Sequence, residues 1–415
     1  MKLAINQIID PSQVRVVVRR AASGEVLDAR FDLSGLPRVD GVLAGRPVAD
    51  VPRLVERLCG ICPVAHHLAG VAALESLWGV ESLPATVGLV RRLLNDGSVI
   101  ATHALGFLDV DRDATVALRR FGQQVQAAAG SPKHFPTTAV PGGVAAPVAP
   151  EQAQAVAEAA PDALEAALRL ARTLVRLDRP AERYDGADLA LVDDRGRVDL
   201  LGARLRAVAA DGTVLVDGAR ADDWDALVQE GVPGDAAPRL YLTALGPQAG
   251  GYRTGPVAQL RVGALATPQA AALQEEWLAG PQRADAARAV LLAHCVEAVA
   301  ELVQNPSLTT DDIGHAPTAS GAGAGVGWVD TGRGLLVHRY VGGADGLMAS
   351  ATILTPTAQN EPWLAALLRQ AASSASEGRA MEDAIREADP CLPCTSAPIG
   401  QMGVEVVTVV DEGEA

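Results

Sequence analysis

The sequence predicts an α+β fold that is mainly helical, with a helical core and small β-sheets at its periphery. Apolar residues recur at three- and four-residue intervals from Val51 to about Gly130, which indicates helices with one buried face. Segments near both ends and in the middle instead alternate apolar and polar residues, as strands do. Of the 415 residues, 49% are apolar and 20% are charged, so the chain can bury a large interior.

Five segments follow from these patterns. In chain order they are an N-terminal β-hairpin region (1–50), a helical block (51–186), a β-rich insert (187–263), a second helical block (264–397) and a C-terminal tail (398–415). The hairpin is expected because two alternating runs surround a Ser-Gly turn. The insert alternates between turn signals such as Asp211-Gly212, and no chemistry is evident in it.

Loops and short strands interrupt the two helical blocks. We expect helix breaks near Pro84 and Gly97, and a helix from Pro150 through Leu177. In the second block the sequence predicts long helices over 268–304 and 362–388, a tight turn at the glycine-rich 320–328, and strands over 335–341 and 348–354. The tail is predicted to end in a strand.

Charge and composition exclude several classes of protein. A net charge of −15 without a cluster of Lys or Arg argues against nucleic acid as a partner. No apolar run reaches the roughly 20 residues of a membrane helix, and no signal peptide is visible, so a cytoplasmic location is expected. Five cysteines are too few, and odd in number, for a disulfide scaffold.

The cysteines are spaced as metal ligands. Cys59 and Cys62 form one CxxC pair in the first helical block, and Cys391 and Cys394 form another near the C-terminus. Two such pairs can converge on one ion, and thiolates select soft or borderline metals such as zinc, iron and nickel. The spacing alone leaves a structural zinc site or a redox-active pair open. Cys295 has no partner spacing and is interpreted as a buried apolar residue.

The flanking residues narrow these alternatives. Arg57 and His66 flank the first pair, and Asp389 precedes the second. These segments resemble the R-x-C-G-x-C-x-x-x-H and D-P-C-x-x-C signatures of the large subunit of nickel-iron hydrogenases. Further blocks resemble the family in the same order: Asp40 before an L-x-G-R element, His134 and Pro136 before Pro141-Gly142-Gly143, Gly332-Arg333-Gly334-Leu335, and Pro356, Thr357 and Asn360.

The resemblance implies a hydrogenase-like helical core that holds a nickel-iron centre between the two ends of the chain. Cys62 and Cys394 would bridge both metals, and Cys59 and Cys391 would be terminal on nickel. The iron would carry cyanide and carbon monoxide ligands. Arg333 would place its guanidinium over the site as a catalytic group, with Cys394 as the catalytic thiolate.

The resemblance also assigns supporting residues. Thr357 would donate to a cyanide, while His66 and Asp389 would orient the sulfur ligands through hydrogen bonds. Arg57 belongs to the same motif, although an ion pair between Arg57 and Asp389 and a purely structural role for His66 remain open. Asp40 is a candidate magnesium ligand. His103 and His338 lie in family-like segments, as packing or functional residues.

Four positions depart from the family pattern. Ala397 stands where relatives carry the histidine after which the C-terminus is cleaved, so we predict an uncleaved tail. Ile9 replaces a proton-relaying glutamate, which leaves the proton path undefined. Thr102 and Gly332 replace an aspartate and a proline.

The interpretation that follows is reversible oxidation of dihydrogen to protons and electrons. Because the chain has no spare cysteines for clusters, the electrons require an iron-sulfur small subunit, expected beside the segment from Cys59 to His66. The L-C-G-I-C-P-V-A-H-H form resembles the soluble, cofactor-coupled branch, whose partners include diaphorase subunits. The alternatives are a hydrogen sensor or inactive relative that keeps the centre, a relative of the quinone-site subunit of complex I, and a zinc-binding protein.

Overall fold

Helices form the centre of the molecule and short sheets surround them. The computed structural model describes residues 13–32, 40–181, 183–231, 239–314, 322–374 and 376–411. The arrangement confirms the predicted α+β class. No helix in these ranges is long and apolar enough to cross a membrane.

The regular elements are numbered in chain order. The helices are α1 (Asp40–Leu43), α2 (Val51–Val55), α3 (Pro63–Leu77), α4 (Ala85–His103), α5 (Arg112–Ala128), α6 (Pro150–Val175), α7 (Trp224–Leu227), α8 (Gly246–Ala249), α9 (Pro256–Val262), α10 (Pro268–Ala279), α11 (Ala284–Leu302), α12 (Pro356–Gln359), α13 (Glu361–Ala372) and α14 (Glu377–Ala388). The strands are β1 (Gln13–Ala21), β2 (Val26–Phe31), β3 (Ala139–Val140), β4 (Gly143–Val144), β5 (Ala187–Val192), β6 (Arg204–Val208), β7 (Val214–Ala219), β8 (Val228–Glu230), β9 (Leu240–Leu242), β10 (Tyr252–Arg253), β11 (Gly323–Thr331), β12 (Gly334–Gly342), β13 (Met348–Leu354) and β14 (Gly403–Asp411). Short 3₁₀ helices lie at Val48–Asp50, Ala104–Phe107, Ala221–Asp223, Pro306–Thr309 and Pro393–Ser396.

The main hydrophobic core lies between α4, α5, α6 and α11, which pack on one another. α4 and α5 cross where Gly97 faces Gly122, and a β-carbon on Gly122 would lie 2.6 Å from the backbone nitrogen of Ala101. The predicted helix break at Gly97 is therefore wrong. This glycine lies inside α4 because the crossing requires two backbones to approach closely, which a larger side chain would prevent.

One sheet joins the two ends of the chain. Its strand order is β14-β1-β2, and β14 pairs in parallel with β1 from Gln13 opposite Gly403 to Ala21 opposite Asp411. β2 pairs with β1 on the other side in the predicted hairpin. The strand predicted at the end of the chain is confirmed, and it covers an edge of the first strand that would otherwise be unpaired.

Two further sheets pack against each other. The region after residue 187 forms a sheet of order β10-β5-β6-β7, and the β11-β12-β13 sheet follows later in the chain. Their apolar side chains share one cluster, which includes Leu189, Leu205 and Tyr252 from the first sheet and Leu335 and Val337 from the second. This contact fixes the turn between β11 and β12, which carries Arg333.

The glycine-rich segment was predicted to be a tight turn, and this is wrong for its described part. Residues 323–328 belong to strand β11, which packs along α3. A β-carbon on Gly325 or Gly327 would overlap the backbone of α3 near Ala73. The glycines are thus required by close helix–strand packing rather than by a turn.

The two long helices predicted in the second block are each divided in two. α10 ends before Gly280 and Pro281, and α11 begins after Arg283. α13 ends before Ser373, whose hydroxyl donates back to the carbonyl of Arg369. Glycine, proline and serine compete with helix continuation, and in both places this local preference determines the boundary.

Candidate active site

The two CxxC pairs lie at the ends of helices. After α2 the chain passes through Cys59 to Cys62, which is the N-cap of α3, and Pro63 occupies the first helical position. Cys391 follows the end of α14, where Asp389 adopts a left-handed conformation (φ 44°, ψ 57°) immediately before Pro390. Cys59, Cys62 and Cys391 therefore lie on irregular backbone next to the ends of helices.

Three cysteine sulfurs meet although the chain separates them widely. The Sγ atoms of Cys59 and Cys62 are 3.0 Å apart, and those of Cys62 and Cys391 are 3.4 Å apart. The Sγ atoms of Cys59 and Cys391 are 3.8 Å apart across 332 positions of sequence. These are the residues of the described chain whose ligand atoms cluster closely enough to hold a metal ion.

The sulfurs do not share one protonation state. Hydrogen bonds from Cys391 and Cys62, and a further one from His66, hold the pKa of Cys59 well below its usual range despite its burial. The hydrogen bonds of Cys62 with Cys391 and Cys59, together with burial, raise the pKa of Cys62. A thiolate at Cys59 is thus stabilised by two adjacent thiols, which is the beginning of a metal-binding set.

Cys394 lies outside this cluster. It is in the 3₁₀ helix Pro393–Ser396, only 2% exposed and packed in the main core. Burial raises the pKa of its thiol to about 11. The structure therefore brings together three of the four cysteines that the sequence predicted as ligands.

Arg333 and Asp389 form an ion pair beside the sulfurs. Nε of Arg333 lies 3.3 Å from Oδ1 of Asp389, and Nη1 of Arg288 lies 3.8 Å from Oδ2. Burial alone would lower the pKa of Arg333, but the negative charge of Asp389 raises it. The guanidinium is thus permanently charged and lies close to the cysteine cluster.

Thr357 supports the second pair through the backbone. Its Oγ1 accepts a hydrogen bond of 2.8 Å from the backbone N–H of Cys391. The residue is 7% exposed and belongs to the short helix α12. Because the oxygen serves as an acceptor, its own hydrogen remains available for donation.

His103 occupies the space next to Arg333. A β-carbon on Gly332 would overlap the imidazole of His103, so no larger residue fits at position 332 while the histidine stays in place. Burial, and then the positive charge of Arg333, lower the pKa of His103 to about 4. Gly332, which stands where the family has a proline, thus leaves the space that the neutral His103 ring occupies.

His66 is the first of three buried polar side chains that lie within hydrogen-bonding distance of one another in sequence. Its Nδ1 lies 3.1 Å from Nε2 of His338, and Nδ1 of His338 lies 2.7 Å from the hydroxyl oxygen of Tyr340. Tyr340 was not singled out from the sequence. The alternation of β12 places residues 338 and 340 on the same face of the strand, and this signal identifies them once His338 is linked to the site.

The remaining predicted residues lie elsewhere. Arg57 is exposed and lies over the ring of Phe135, with 5.6 Å between the guanidinium carbon and the ring centroid. The ion pair considered between Arg57 and Asp389 is not formed, because Asp389 pairs with Arg333 and Arg288. The side chain of Asp40 and the whole of Ile9 lie outside the described residues.

An open cavity of about 1510 Å³ adjoins the site. Gly60, Ile61, His103, Arg333 and Asp389 all line it. The cavity gives a small molecule or a partner chain access to the cysteine loop and to the ion pair.

Comparisons with known proteins identify what this chain is similar to. A family model described as nickel-dependent hydrogenase matches residues 38–111. The vhu-type F420-non-reducing hydrogenase of Methanocaldococcus jannaschii contains a chain that is 30% identical over 403 residues, covering 86% of this chain and 95% of the relative. The NAD-reducing hydrogenase HoxS subunit beta of Cupriavidus necator is 27% identical over 474 residues, covering 97% of each chain.

Solved structures share the fold. An NAD⁺-reducing nickel-iron hydrogenase in the H2-reduced state superimposes with a TM-score of 0.81 at 28% identity, covering 91% of this chain and 95% of that one. The Ni-Fe-Se hydrogenase of D. vulgaris Hildenborough gives a TM-score of 0.68 at 17% identity, covering 91% and 95%. The second similarity is one of fold alone.

Proposed function

This chain belongs to the nickel-dependent hydrogenase family, and on that premise we propose how its residues perform the chemistry of a catalytic large subunit. The reaction is the reversible oxidation of dihydrogen to protons and electrons. The observation that carries this function is the meeting of Cys59, Cys62 and Cys391 beside Arg333. The alternatives of a sensor and of a zinc protein make different predictions for the metal, given below.

The sulfur spacing fits a shared metal ion. A metal–sulfur bond of about 2.3 Å with tetrahedral angles separates two sulfurs by about 3.8 Å. The observed separations of 3.0 to 3.8 Å approach that value. Cys394 would complete the set of four thiolates, together with Cys59, Cys62 and Cys391, that would hold nickel and iron. When bound, the centre supplies the redox chemistry that splits dihydrogen.

The side chains around the sulfurs would orient and polarise the reactants. Arg333, held by Asp389, carries a fixed positive charge beside the cluster and would stabilise negative charge that develops there. Thr357 fixes the backbone of Cys391 and keeps a hydrogen available for a cyanide ligand on iron. His66 contributes to the lowered pKa of Cys59 and would tune the electron density of that sulfur.

Several assignments rest on the resemblance. They are the cyanide and carbon monoxide ligands, a magnesium ion near Asp40 and the role of Arg57. We also propose a cytoplasmic location. The electrons would leave through an iron-sulfur small subunit, supported by relatives that are subunits of larger hydrogenases. The open cavity beside Gly60 and Ile61 is the surface we propose for that small subunit. Diaphorase subunits would follow, as in an NAD-reducing enzyme.

The test is infrared spectroscopy and metal analysis of the anaerobically purified native complex. We expect bands of metal-bound carbon monoxide and cyanide that shift under hydrogen, with nickel and iron both present. Cys391→Ala should lose nickel and hydrogen-dependent dye reduction. Cys295→Ala, which removes a buried thiol outside the cluster, should retain both.

Other outcomes contradict the proposal in distinct ways. Bands that never shift under hydrogen would support the sensor or inactive relative. Zinc without nickel, and no bands in fully metallated protein, would support a structural zinc site. Nickel retained by Cys391→Ala would remove that residue from the ligand set.

A further inference from the structure

A small inner cavity lies next to the ion pair of Arg333 and Asp389. Its volume of about 10 Å³ is enough for one water molecule, and Arg333, Asp389 and Trp363 all line it. Trp363 is 5% exposed, and its ring N–H has no hydrogen-bond partner among the described residues. A buried donor without a partner beside such a space indicates a site for water.

Four charged side chains line both this inner cavity and the open cavity. They are Arg288, Arg333, Glu387 and Asp389. A proton that moves between the two cavities passes this group of side chains. Arginine stays protonated at ordinary pH and cannot relay a proton, which leaves the two carboxylates.

The two carboxylates differ in their partners. Asp389 is engaged by Arg333 and Arg288. Glu387 lies near the end of α14, and its Oε1 accepts a hydrogen bond of 3.1 Å from the backbone N–H of Ala284, the first residue of α11. In the described part of the chain, its Oε2 has no hydrogen bond or ion pair. Glu387 therefore has an oxygen available to accept a proton.

The surroundings of Glu387 favour uptake of a proton. Burial raises the pKa of its carboxyl. The positive charges of Arg288 and Arg283 oppose this effect, and the negative charge of Asp285 adds to it. The charged groups that face Glu387 are thus Arg288 and Asp285 on α11, Arg283 just before that helix, and Arg333 and Asp389 in the wall of the inner cavity.

The sequence lacks the proton relay that the family resemblance would supply. Ile9 stands in place of the relaying glutamate, and its side chain cannot transfer a proton. We propose that Glu387 carries protons between the inner cavity and the open cavity, in place of that glutamate. The inference rests on the proposed function, because hydrogen oxidation is the source of these protons.

The transfer leaves Glu387 unchanged overall. Its carboxylate accepts a proton at Oε2 from water in the inner cavity and gives a proton to water in the open cavity. Oε1 stays bonded to the backbone N–H of Ala284, which holds the side chain in place during the transfer. No electrons move in this step, since those from dihydrogen leave toward the small subunit.

A purely structural role for Glu387 makes a different prediction. A carboxylate at the first N–H of α11 also stabilises that helix by its charge. Glu297 does the same for α10, where it accepts hydrogen bonds from the backbone N–H groups of Gln269 and Ala270. Glu297 is 5% exposed and lines neither cavity. Glu297→Gln is therefore the control for loss of a charge that caps a helix.

The experiment compares Glu387→Gln, Glu387→Asp and Glu297→Gln with the wild-type native complex. Glutamine keeps an oxygen for the N–H of Ala284 but cannot take up a proton. In Glu387→Gln we expect kcat for hydrogen oxidation to fall by about 10²-fold, with a larger ratio of the rates in H2O and D2O. The KM for hydrogen, the nickel content and the carbon monoxide band should stay near wild type.

The other two variants separate proton transfer from structure. Glu387→Asp keeps a titratable carboxyl and should recover part of the rate. Glu297→Gln should keep the wild-type kcat and the wild-type ratio of rates in H2O and D2O.

Infrared difference spectra recorded without hydrogen give a measurement that does not depend on turnover. Wild type minus Glu387→Gln should show the carbonyl band of a protonated carboxyl that grows as the pH falls, with a midpoint above the ordinary range of a glutamate. A midpoint within the ordinary range would overturn the inference, because the carboxyl would then rarely hold a proton near neutral pH.

Two kinetic results would also overturn the inference and leave the proposed function intact. One is a wild-type kcat and isotope effect in Glu387→Gln. The other is an equal loss of activity in Glu387→Gln and Glu297→Gln, which would assign the loss to helix capping. If the wild-type complex does not oxidise hydrogen at all, the proposed function fails, and the relay fails with it.

Discussion

Two carboxylates of this protein each face two arginines, with very different geometry. Asp188 on β5 lies 2.5 Å from Nε of Arg253 and 2.6 Å from Nε of Arg261, and its side chain is 1% exposed. Arg253 also lies over the rings of Tyr184 and Trp363. Asp188 and its two arginines are thus shielded from solvent, joined by short ion pairs, and Asp188 lies within a β-strand.

The second carboxylate, Asp389, is held loosely. Its distances to Arg333 and Arg288 are 3.3 and 3.8 Å, and its side chain is 20% exposed. The backbone of Asp389 is left-handed, a conformation that a non-glycine residue adopts at some energetic cost. These longer contacts hold the guanidinium of Arg333 less tightly than Asp188 holds its two arginines.

The comparison teaches that the same residue types form a tight buried group within regular structure and a looser pair at the proposed active site. In a short, buried ion pair, most hydrogen-bond donors and acceptors are bonded to each other. In a longer, partly exposed ion pair, some donors can still bind a ligand. We therefore expect substitutions at Asp188 to affect mainly folding, and substitutions around Asp389 to affect mainly activity.

The largest expected effect is on stability at Asp188. Asp188→Ala leaves Arg253 and Arg261 without their shared carboxylate and should lower the free energy of unfolding by about 3–5 kcal/mol. Asp389→Ala, at a partly exposed pair, should lower it by less than about 1 kcal/mol. Urea denaturation measures both. Equal losses would contradict the distinction between the two groups.

The next effect is on activity at Arg333. Arg333→Lys keeps the charge but loses the planar set of donors, so hydrogen oxidation should fall by about 10²- to 10³-fold. Dye-linked assays at verified nickel content measure this, and the unfolding free energy should stay near wild type. Activity within twofold of wild type would remove Arg333 from the catalytic machinery.

A smaller effect concerns the contact between Gly332 and His103. Gly332→Ala should destabilise the protein by about 1–3 kcal/mol, because the new β-carbon overlaps the imidazole. Adding His103→Ala should relieve part of that loss, so the double variant is less destabilised than the sum of the single changes. Strict additivity in denaturation would argue that the two residues are not coupled.

The smallest effect is expected at Thr357. Thr357→Val removes the acceptor for the N–H of Cys391 and should lower the unfolding free energy by about 1 kcal/mol. Amide hydrogen exchange at Cys391 should become faster. Thr357→Ser keeps the hydroxyl and serves as the control, and similar exchange in both variants would exclude this bond as the cause.

Many residues of the site could be predicted because their types and their spacing along the chain form recognisable motifs. The two CxxC pairs, Arg333, Thr357 and Asp389 all have sequence contexts that identify them. The convergence of Cys59, Cys62 and Cys391 follows the prediction for three of the four ligands. The roles of these residues as ligands remain proposals.

Other features could not be predicted because they depend on contacts between distant segments. Gly97 looked like a helix break, and only the crossing of α4 and α5 explains why a glycine is needed inside the helix. Gly325 and Gly327 looked like turn residues, but α3 packs on their strand. A glycine has the same local signature whether it permits a turn or a close approach.

The sequence by itself determined the fold class, the hydrogenase resemblance and the residues proposed for the site, because periodicity and motif spacing are local properties of the chain. Tertiary structure alone decided which groups meet: Arg333 with Asp389, His103 with Gly332, and His66 with the buried His338 and Tyr340. These pairings depend on how helices and sheets pack. Packing is determined by many weak contacts between distant segments, and these contacts cannot be read from any short stretch of sequence.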